Sequence, residues 1–572
     1  MKSKFYTGAI ALSLLFITGA VKAAPVIIEI KPSNNDMTKT LQKAINRAAR
    51  QSANGNNVIL KLRPGTYNIS RKASTPILYH ISNTTSAHEN PDATKHIGLY
   101  FKGISNLIVD AKGAKFITHG EMTPWVIDSC CNVTLQGFSL DAADPSVPEM
   151  TVVSRSDSSF VATTSKSSNY RISTDNHLYW TGINWEFTNG IAQVYNPETF
   201  TTLRCESPLV ESKRIVELEP GKLEFIYTSN PPTEAQVGVT YQMRHSYRTE
   251  VAGFINRSAD IKLQNLTLNF LGNFGIVAQY SENISYENIT CAPDSIGDRT
   301  CAGFADFMQI SGCKGDVLIS NCYFSGAQDD PINVHGTHLR VINQPLPNQL
   351  VVRFMHHQTY GFESFFPGDT CSLVNDATLL PVGAPLIVRN ARLINDYDME
   401  LTFDNVVKLP TSGKYVLENL TWTPSVKICD NTFKLTPTRG ILITTCRPVQ
   451  ILRNKFYNIP MASILVADDA RSWYESGAVK NLLIKENQFI NCSSPQIWIS
   501  PENSEIDPKH KVHSGIVIEN NRFITTSTQN ASAAVIQARS VDGLTIRNNT
   551  VNDSLNSAVN LNNCSNVSID NF

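Results

Sequence analysis

The chain has 572 residues, 42% of them hydrophobic and 17% charged, with a formal net charge of −1. That length exceeds what one compact core usually supports, so several domains or an elongated repeat fold are expected. A near-neutral balance without a polybasic tract argues against nucleic acid or anionic lipid as partner and favours an uncharged or weakly charged substrate.

Residues 1–23 carry Lys2 and Lys4, an apolar run from Phe5 to Ala20, and Val21-Lys22-Ala23 as a small-residue cleavage site. This is the pattern of a secretory signal peptide. The run is short for a membrane span and no second one follows. A periplasmic or extracellular protein is therefore expected. All 12 cysteines lie beyond this segment. Export permits disulfides, yet no spacing is CxxC or a His/Cys zinc pattern, and thiols stacked inside a core account for them equally well.

Asp36 to Arg50 places Leu41, Ile45 and Ala48/Ala49 at helical spacing, which predicts an amphipathic helix. Val58 to Leu62 then runs into Arg63-Pro64-Gly65-Thr66-Tyr67, a strand closed by a turn. Thereafter one motif recurs: an apolar strand, Asn, one residue, then an aromatic or aliphatic side chain, as in IKLQNLTL (261–268), VKICDNTF (426–433) and LLIKENQF (482–489). The Asn fall at 265, 288, 321, 431, 454, 487, 521, 549 and 571, with a base spacing of 22–23 residues lengthened by loops. Such a period is one coil of a β-solenoid. The Asn side chains are expected to form a ladder from coil to coil, and the N-terminal helix to cap the open end of the stack.

Two intervals break the period, 146–250 and 341–425, and their alternating apolar runs with Gly/Pro turns read as inserted antiparallel β modules, barrels or sandwiches. The expected architecture is all-β: a right-handed parallel β-helix with two inserted modules and a capping helix. It divides into 24–145 (cap and first coils), the first insertion, 251–340 (central coils), the second insertion, and 426–572 (C-terminal coils).

Chemistry concentrates in residues 301–340. Asp306 and Asp329 are 23 residues apart, as are the apolar runs beginning at Asp316 and Leu339, so Asp306 is expected one rung below Asp329. Asp329-Asp330-Pro331 follows Gly326, and neighbouring carboxylates share a site only at a bend. Carboxylates beside a groove suit glycoside hydrolysis, in which one acid protonates the leaving oxygen and another carboxylate activates water or attacks the sugar. Spacing alone leaves inversion and retention both open.

FADFMQISGCKG (304–315) and GAQDDPINVHGTH (326–338) resemble the signature of glycoside hydrolase family 110. These are exo-acting α-1,3-galactosidases, including those that cleave blood group B antigen. The Pro-Gly-Thr-Tyr turn, the export signal and the two insertions match as well. The resemblance implies an inverting mechanism without metal or cofactor, with Asp329 as general acid and Asp330 and Asp306 holding the water. Its partner would be a glycan ending in α-galactose, with no nucleic acid and no membrane span; a homodimer is compatible with this reading.

His335, His338, Asn333, Arg248, Arg439, Trp473 and Glu475 are candidate substrate-binding residues. His and Arg would meet sugar hydroxyls, and Trp473 would stack on a sugar face. Two rivals remain open. A calcium-dependent polysaccharide lyase would use Asp306, Asp329 and Asp330 as cation ligands, and a non-catalytic glycan-binding solenoid would need none of them.

Overall fold

The computed structural model describes residues 24–525, 534–552 and 559–571. The expected signal segment lies outside the described residues.

Alternation builds the coils. In Val58–Leu62 the side chains of Val58, Leu60 and Leu62 are buried while Ile59 and Lys61 are not, the period-two pattern of a half-buried strand. Strands of this kind stack in parallel, so one apolar column runs through Val26, Val58, Leu107, Val133, Ile261, Ile284 and Val317. It continues through Val426, Val449, Leu482, Ile516, Leu544 and Val567. This column belongs to a 23-stranded sheet, and a 13-stranded sheet forms another wall of the same parallel β-helix. Thr38–Ala53 is the one α-helix among the described residues. It buries Leu41, Ala44, Ile45 and Ala48 against the first coils, and it is too short and polar to cross a membrane.

Inside the C-terminal coils the recurring aromatic stacks on itself: Phe433, Phe456, Phe489 and Phe523 lie 4.7–5.1 Å apart between ring centroids and nearly parallel. Beside them runs an Asn ladder narrower than the repeat suggests. Asn431, Asn454, Asn487, Asn521 and Asn549 are buried, and each Nδ2 donates to the next Oδ1 at 3.0 Å. Asn265, Asn288 and Asn321 instead occupy exposed corners at φ between +54° and +56°. One residue decides the difference. In the C-terminal coils the left-handed corner is filled by Asp430, Arg453, Glu486, Asn520 and Asn548, and the ladder Asn follows it inward. In the central coils Asn itself takes the corner, because it tolerates that conformation, and Leu266, Ile289 and Cys322 point in. All 12 cysteines are free and most are buried.

The first insertion is an antiparallel sheet of seven strands with a separate three-stranded sheet. The second is a closed barrel from Leu339–Asn343 to Tyr415–Asn419. Here the structure departs from the expected stacking of 316–319 beneath 339–342: Val317 pairs with Val426, whereas Leu339–Asn343 pairs antiparallel within the barrel. The barrel's first strand starts where a coil strand would have, so equal spacing there marks an exit from the helix. The two Asp segments still lead into neighbouring rungs, but Met308 pairs with Ile332, an offset of 24 residues where the spacing implied 23.

The ladder makes a stability prediction. Asn454 donates to the Ile428 carbonyl and accepts from the Asn431 backbone N–H, each at 3.0 Å. Asn454→Ala strands these buried groups and is expected to cost at least about 1–3 kcal/mol in urea unfolding. Asn288→Gly, at an exposed left-handed corner, is expected to change stability by less than about 0.5 kcal/mol.

Candidate active site

Asp306 lies two residues before the strand Met308–Ser311 begins, and Asp329-Asp330-Pro331 precedes Ile332–Thr337 on the next rung. The chain bends at 328 and 329, which lets neighbouring carboxylates face one site. Gly326 makes the bend possible. Its φ is +78°, and a Cβ there would sit 2.8 Å from the Thr300 carbonyl oxygen. The turn is clamped on both sides: Ala302 N–H donates to the Gly326 carbonyl at 2.8 Å, and Gly326 N–H to the Leu435 carbonyl at 3.0 Å. Thr436 Oγ1 donates to the Asp329 carbonyl at 2.9 Å.

Three carboxylates so close are costly to bury unless cations balance them. Arg439 grips Asp330, with its Nη2 2.9 Å from Oδ2 and both its Nε and backbone N–H donating to Oδ1 at 3.0 Å. Arg204 and Arg248 approach Asp329 Oδ2 at 3.4 and 3.6 Å. Burial raises the Asp329 carboxyl, but Arg204, Arg248, Arg244 and Arg439 together outweigh it and hold it below the ordinary carboxylate value. Asp330 goes the other way: burial pushes it up, and Arg439 offsets this only in part. Asp306 rises furthest, through burial and then the charges of Asp329 and Asp330, with Arg248 alone among its nearest charges opposing. Burial and charge thus push the Asp306 and Asp329 carboxyls in opposite directions, Asp306 toward its neutral form and Asp329 toward its ionised form.

The carboxylates open onto a cavity of about 280 Å³ lined by polar groups and a few apolar ones, a size at the small end for a small-molecule pocket. Of the residues singled out from sequence, Asp306, Asp329, Asp330, Asn333, Arg248, Arg439, Trp473 and Glu475 line it. Trp473 and Glu475 arrive on a loop anchored by Asp469, whose carboxylate accepts from the backbone N–H groups of Arg471, Ser472, Trp473 and Tyr474. Glu475 in turn accepts from Asn333 Nδ2 at 3.2 Å. Trp473, 46% exposed, stacks on His356 of the barrel at 4.4 Å.

His335 and His338 stand outside the lining. His335 is buried between the Gln309 amide and the Gly336 carbonyl. His338 is buried, its Nδ1 2.9 Å from the Asp469 carbonyl, and burial pushes its pKa down to about 4. Both brace the wall of the site: His335 shares the face of Asn333 two residues further along the strand, where Gln309 and Glu475 cover it, and His338 follows the strand's end and is tied to Asp469.

Arg204, Arg244 and Asn83 are among the residues that sequence reasoning missed, with Asp469 and Glu502 of the cavity lining. Asn83 lines the cavity at φ +63°. Arg204 and Arg244 come from strands of the first insertion, Thr201–Cys205 and Thr240–Arg244. No local pattern marks an Arg in a strand of a separate antiparallel module as belonging to a site 85 or 125 residues further along the chain.

Comparison with known proteins bears on this geometry. Residues 349–412 match the GLAA-B beta-barrel domain II. The chain is 44% identical over 544 residues to Alpha-1,3-galactosidase A of Bacteroides thetaiotaomicron, covering 94% of each. The chain belongs to the alpha-1,3-galactosidase family. It is a glycoside hydrolase. To Alpha-1,3-galactosidase A of Streptomyces avermitilis it is 35% identical, covering 96% of this chain and 92% of that one. To Alpha-1,3-galactosidase B of B. thetaiotaomicron it is 31% identical, covering 94% and 88%. In this family member both insertions reach residues that line the cavity, the first through Arg204 at Asp329 and the second through His356 at Trp473.

The turn carries the next prediction. Gly326→Ala is expected to strain the backbone by about 1–3 kcal/mol and to shift Asp329 by displacing the Thr300 segment. Hydrolysis should then fall well beyond any loss of thermal stability, and turnover measured beside a melting curve checks this.

Proposed function

We propose that this enzyme removes terminal α-1,3-linked galactose, including that of the blood group B antigen, by a single displacement that inverts the anomeric centre. The observation that carries the reading is the meeting of Asp306, Asp329 and Asp330 at one small cavity whose other polar groups, Asn333, Arg248, Arg439 and Glu475, suit the hydroxyls of a neutral sugar. The names of the relatives support galactose as that sugar. In an inverting reaction one carboxylic acid protonates the departing oxygen while a carboxylate takes a proton from the attacking water. No cofactor enters this scheme. A lyase reading would have a cation displace the guanidiniums from Asp329 and Asp330, so unchanged turnover in chelator is expected. The leader-like residues 1–23 support action outside the cytoplasm, and the amino terminus of the natural protein is expected to begin after Ala23.

Asp329 serves as the acid. Its side chain is 22% exposed where that of Asp330 is 3% exposed, so it reaches furthest toward the side from which an aglycone leaves. Asp330 and Asp306, deeper in the site, hold the water. The opposite shifts of the two carboxyls favour a second reading, with Asp306 as the acid and Asp329 as the base. Under the first, substrate must shift the proton to Asp329 as it displaces water from the cluster.

Proton NMR of the first galactose released from an α-1,3-galactoside tests the stereochemistry. β-Galactose is expected, and α-galactose would require a covalent intermediate. α-Galactosyl fluoride, whose leaving group needs no proton, assigns the roles. Asp329→Asn is expected to lower turnover of the disaccharide by about 10²–10⁴ while sparing the fluoride, and Asp306→Asn to lower both. The reverse pattern establishes the second reading.

The free face of Trp473 suits the sugar that carries the galactose. Trp473→Ala is expected to raise KM for the disaccharide about three- to tenfold, the worth of one stacked ring, and to leave the fluoride unchanged.

A further inference from the structure

The seven-stranded sheet of the first insertion has two faces of different character. One buries Met150, Ala192, Val194, Tyr241 and Met243 in the module's own core. The other carries a polar row across four strands: Arg204 pairs in register with Gln193, Gln193 with Gln242, and Gln242 with Glu149. Glu149, Gln193 and Gln242 are each at most 1% exposed. Burying such groups is costly unless each is bonded, and apolar residues would hold a sheet to a solenoid at less cost.

Every member of the row bonds the coil segments that lead to the catalytic carboxylates. The Glu149 carboxylate accepts from Thr300 N–H at 2.8 Å and Cys301 N–H at 3.1 Å. Gln242 Nε2 donates to Thr300 Oγ1 at 2.6 Å, and Gln193 Nε2 to the Ala327 carbonyl at 3.2 Å. Arg204 Nη2 donates to the Gln328 carbonyl and lies 3.4 Å from Asp329 Oδ2. The row thus fixes residues 300–301, five positions before Asp306, and residues 327–328, directly before Asp329.

We propose that this row is a positioning device of the active site, and that Arg204 is the positioning residue which aims Asp329. The inference rests on the reading of Asp329 as a reacting carboxylate. By tying a guanidinium to the carbonyl next to Asp329 and to its carboxylate, Arg204 couples the direction of the side chain to its backbone. Hydrogen bonds of this kind keep a reacting group within the small tolerance that catalysis needs. Asp329 also faces Arg248, Arg244 and Arg439, with Asp330 and Asp306 as neighbouring acids and Glu475 beyond Asp306, so Arg204 is one of several charges there and its removal leaves a folded site.

The test compares Arg204→Ala and Arg204→Lys with wild type, and with Arg171→Ala as a control that breaks an exposed pair with Glu186 in the same module. Arg204→Ala is expected to lower kcat on the α-1,3-linked disaccharide about tenfold or more, with little change in KM, and to spare α-galactosyl fluoride as Asp329→Asn does. One limb of its pH profile should move up by about one unit, the smaller end of what an adjacent Arg imposes on an Asp. Added guanidinium ion should restore part of the rate, Arg204→Lys should lie between, and Arg171→Ala should match wild type. Carboxyl carbon NMR, with Asp329 assigned from Asp329→Asn, should show the same upward move in Arg204→Ala without any substrate. An unmoved Asp329 titration together with no guanidinium rescue overturns the proposal. Failure of wild type to hydrolyse any α-galactoside overturns the proposed function instead, and the NMR titration still decides whether Arg204 acts on Asp329.

Discussion

The structure depends on a balance of charge. Three carboxylates, two of them almost entirely shielded from water, lie within one rung of each other, and an isolated cluster of that kind would neutralise itself or come apart. Guanidiniums hold it together, and they come from separate parts of the chain: Arg204 and Arg244 from the first insertion, Arg248 where the chain rejoins the helix, and Arg439 from the coil that follows the barrel. Their uneven placement separates the three acids, with Asp329 lowered and Asp306 raised. An acid and a base have to differ in this way to work at the same pH.

The β-helix supplies what such a balance requires, a backbone braced from rung to rung. Parallel pairing locks each rung to the next, and the side chains inside the coil repeat that lock: stacked Phe rings along one line and a chain of Asn amides along another, each amide bonding both neighbours. Reactive groups then sit on the turns between these rungs. The barrel contributes His356 beneath Trp473, and the first insertion contributes its polar row. Insertions in a solenoid tend to emerge on the binding face, and both follow that tendency.

Much of this was legible in the sequence because its causes are local or periodic. A recurring strand-Asn-aromatic unit can bury its apolar face only by stacking, so the repeat implied coils, and the two breaks in it implied modules. Asp-Asp-Pro behind a glycine implied a bend carrying two carboxylates. Periodicity also misled. The run at 339–342 looked like the next coil, yet it opens the barrel, because a strand's sequence does not reveal which sheet it will join. The Asn repeat merged corner and ladder positions that differ by one residue, and His335 and His338 sat close to the carboxylates in sequence while Gln309, Glu475 and Asp469, from other coils, covered them.

By itself the sequence determined the repeat, the bend and the identity of the three carboxylates, since each follows from the conformational preferences of a few adjacent residues. The tertiary structure alone decided which cations face them, which carboxyl is raised and which lowered, and which aromatic lines the cavity. Those properties arise from groups brought together from separate parts of the chain, and electrostatic energy depends on distance and burial in space, neither of which separation along the chain encodes.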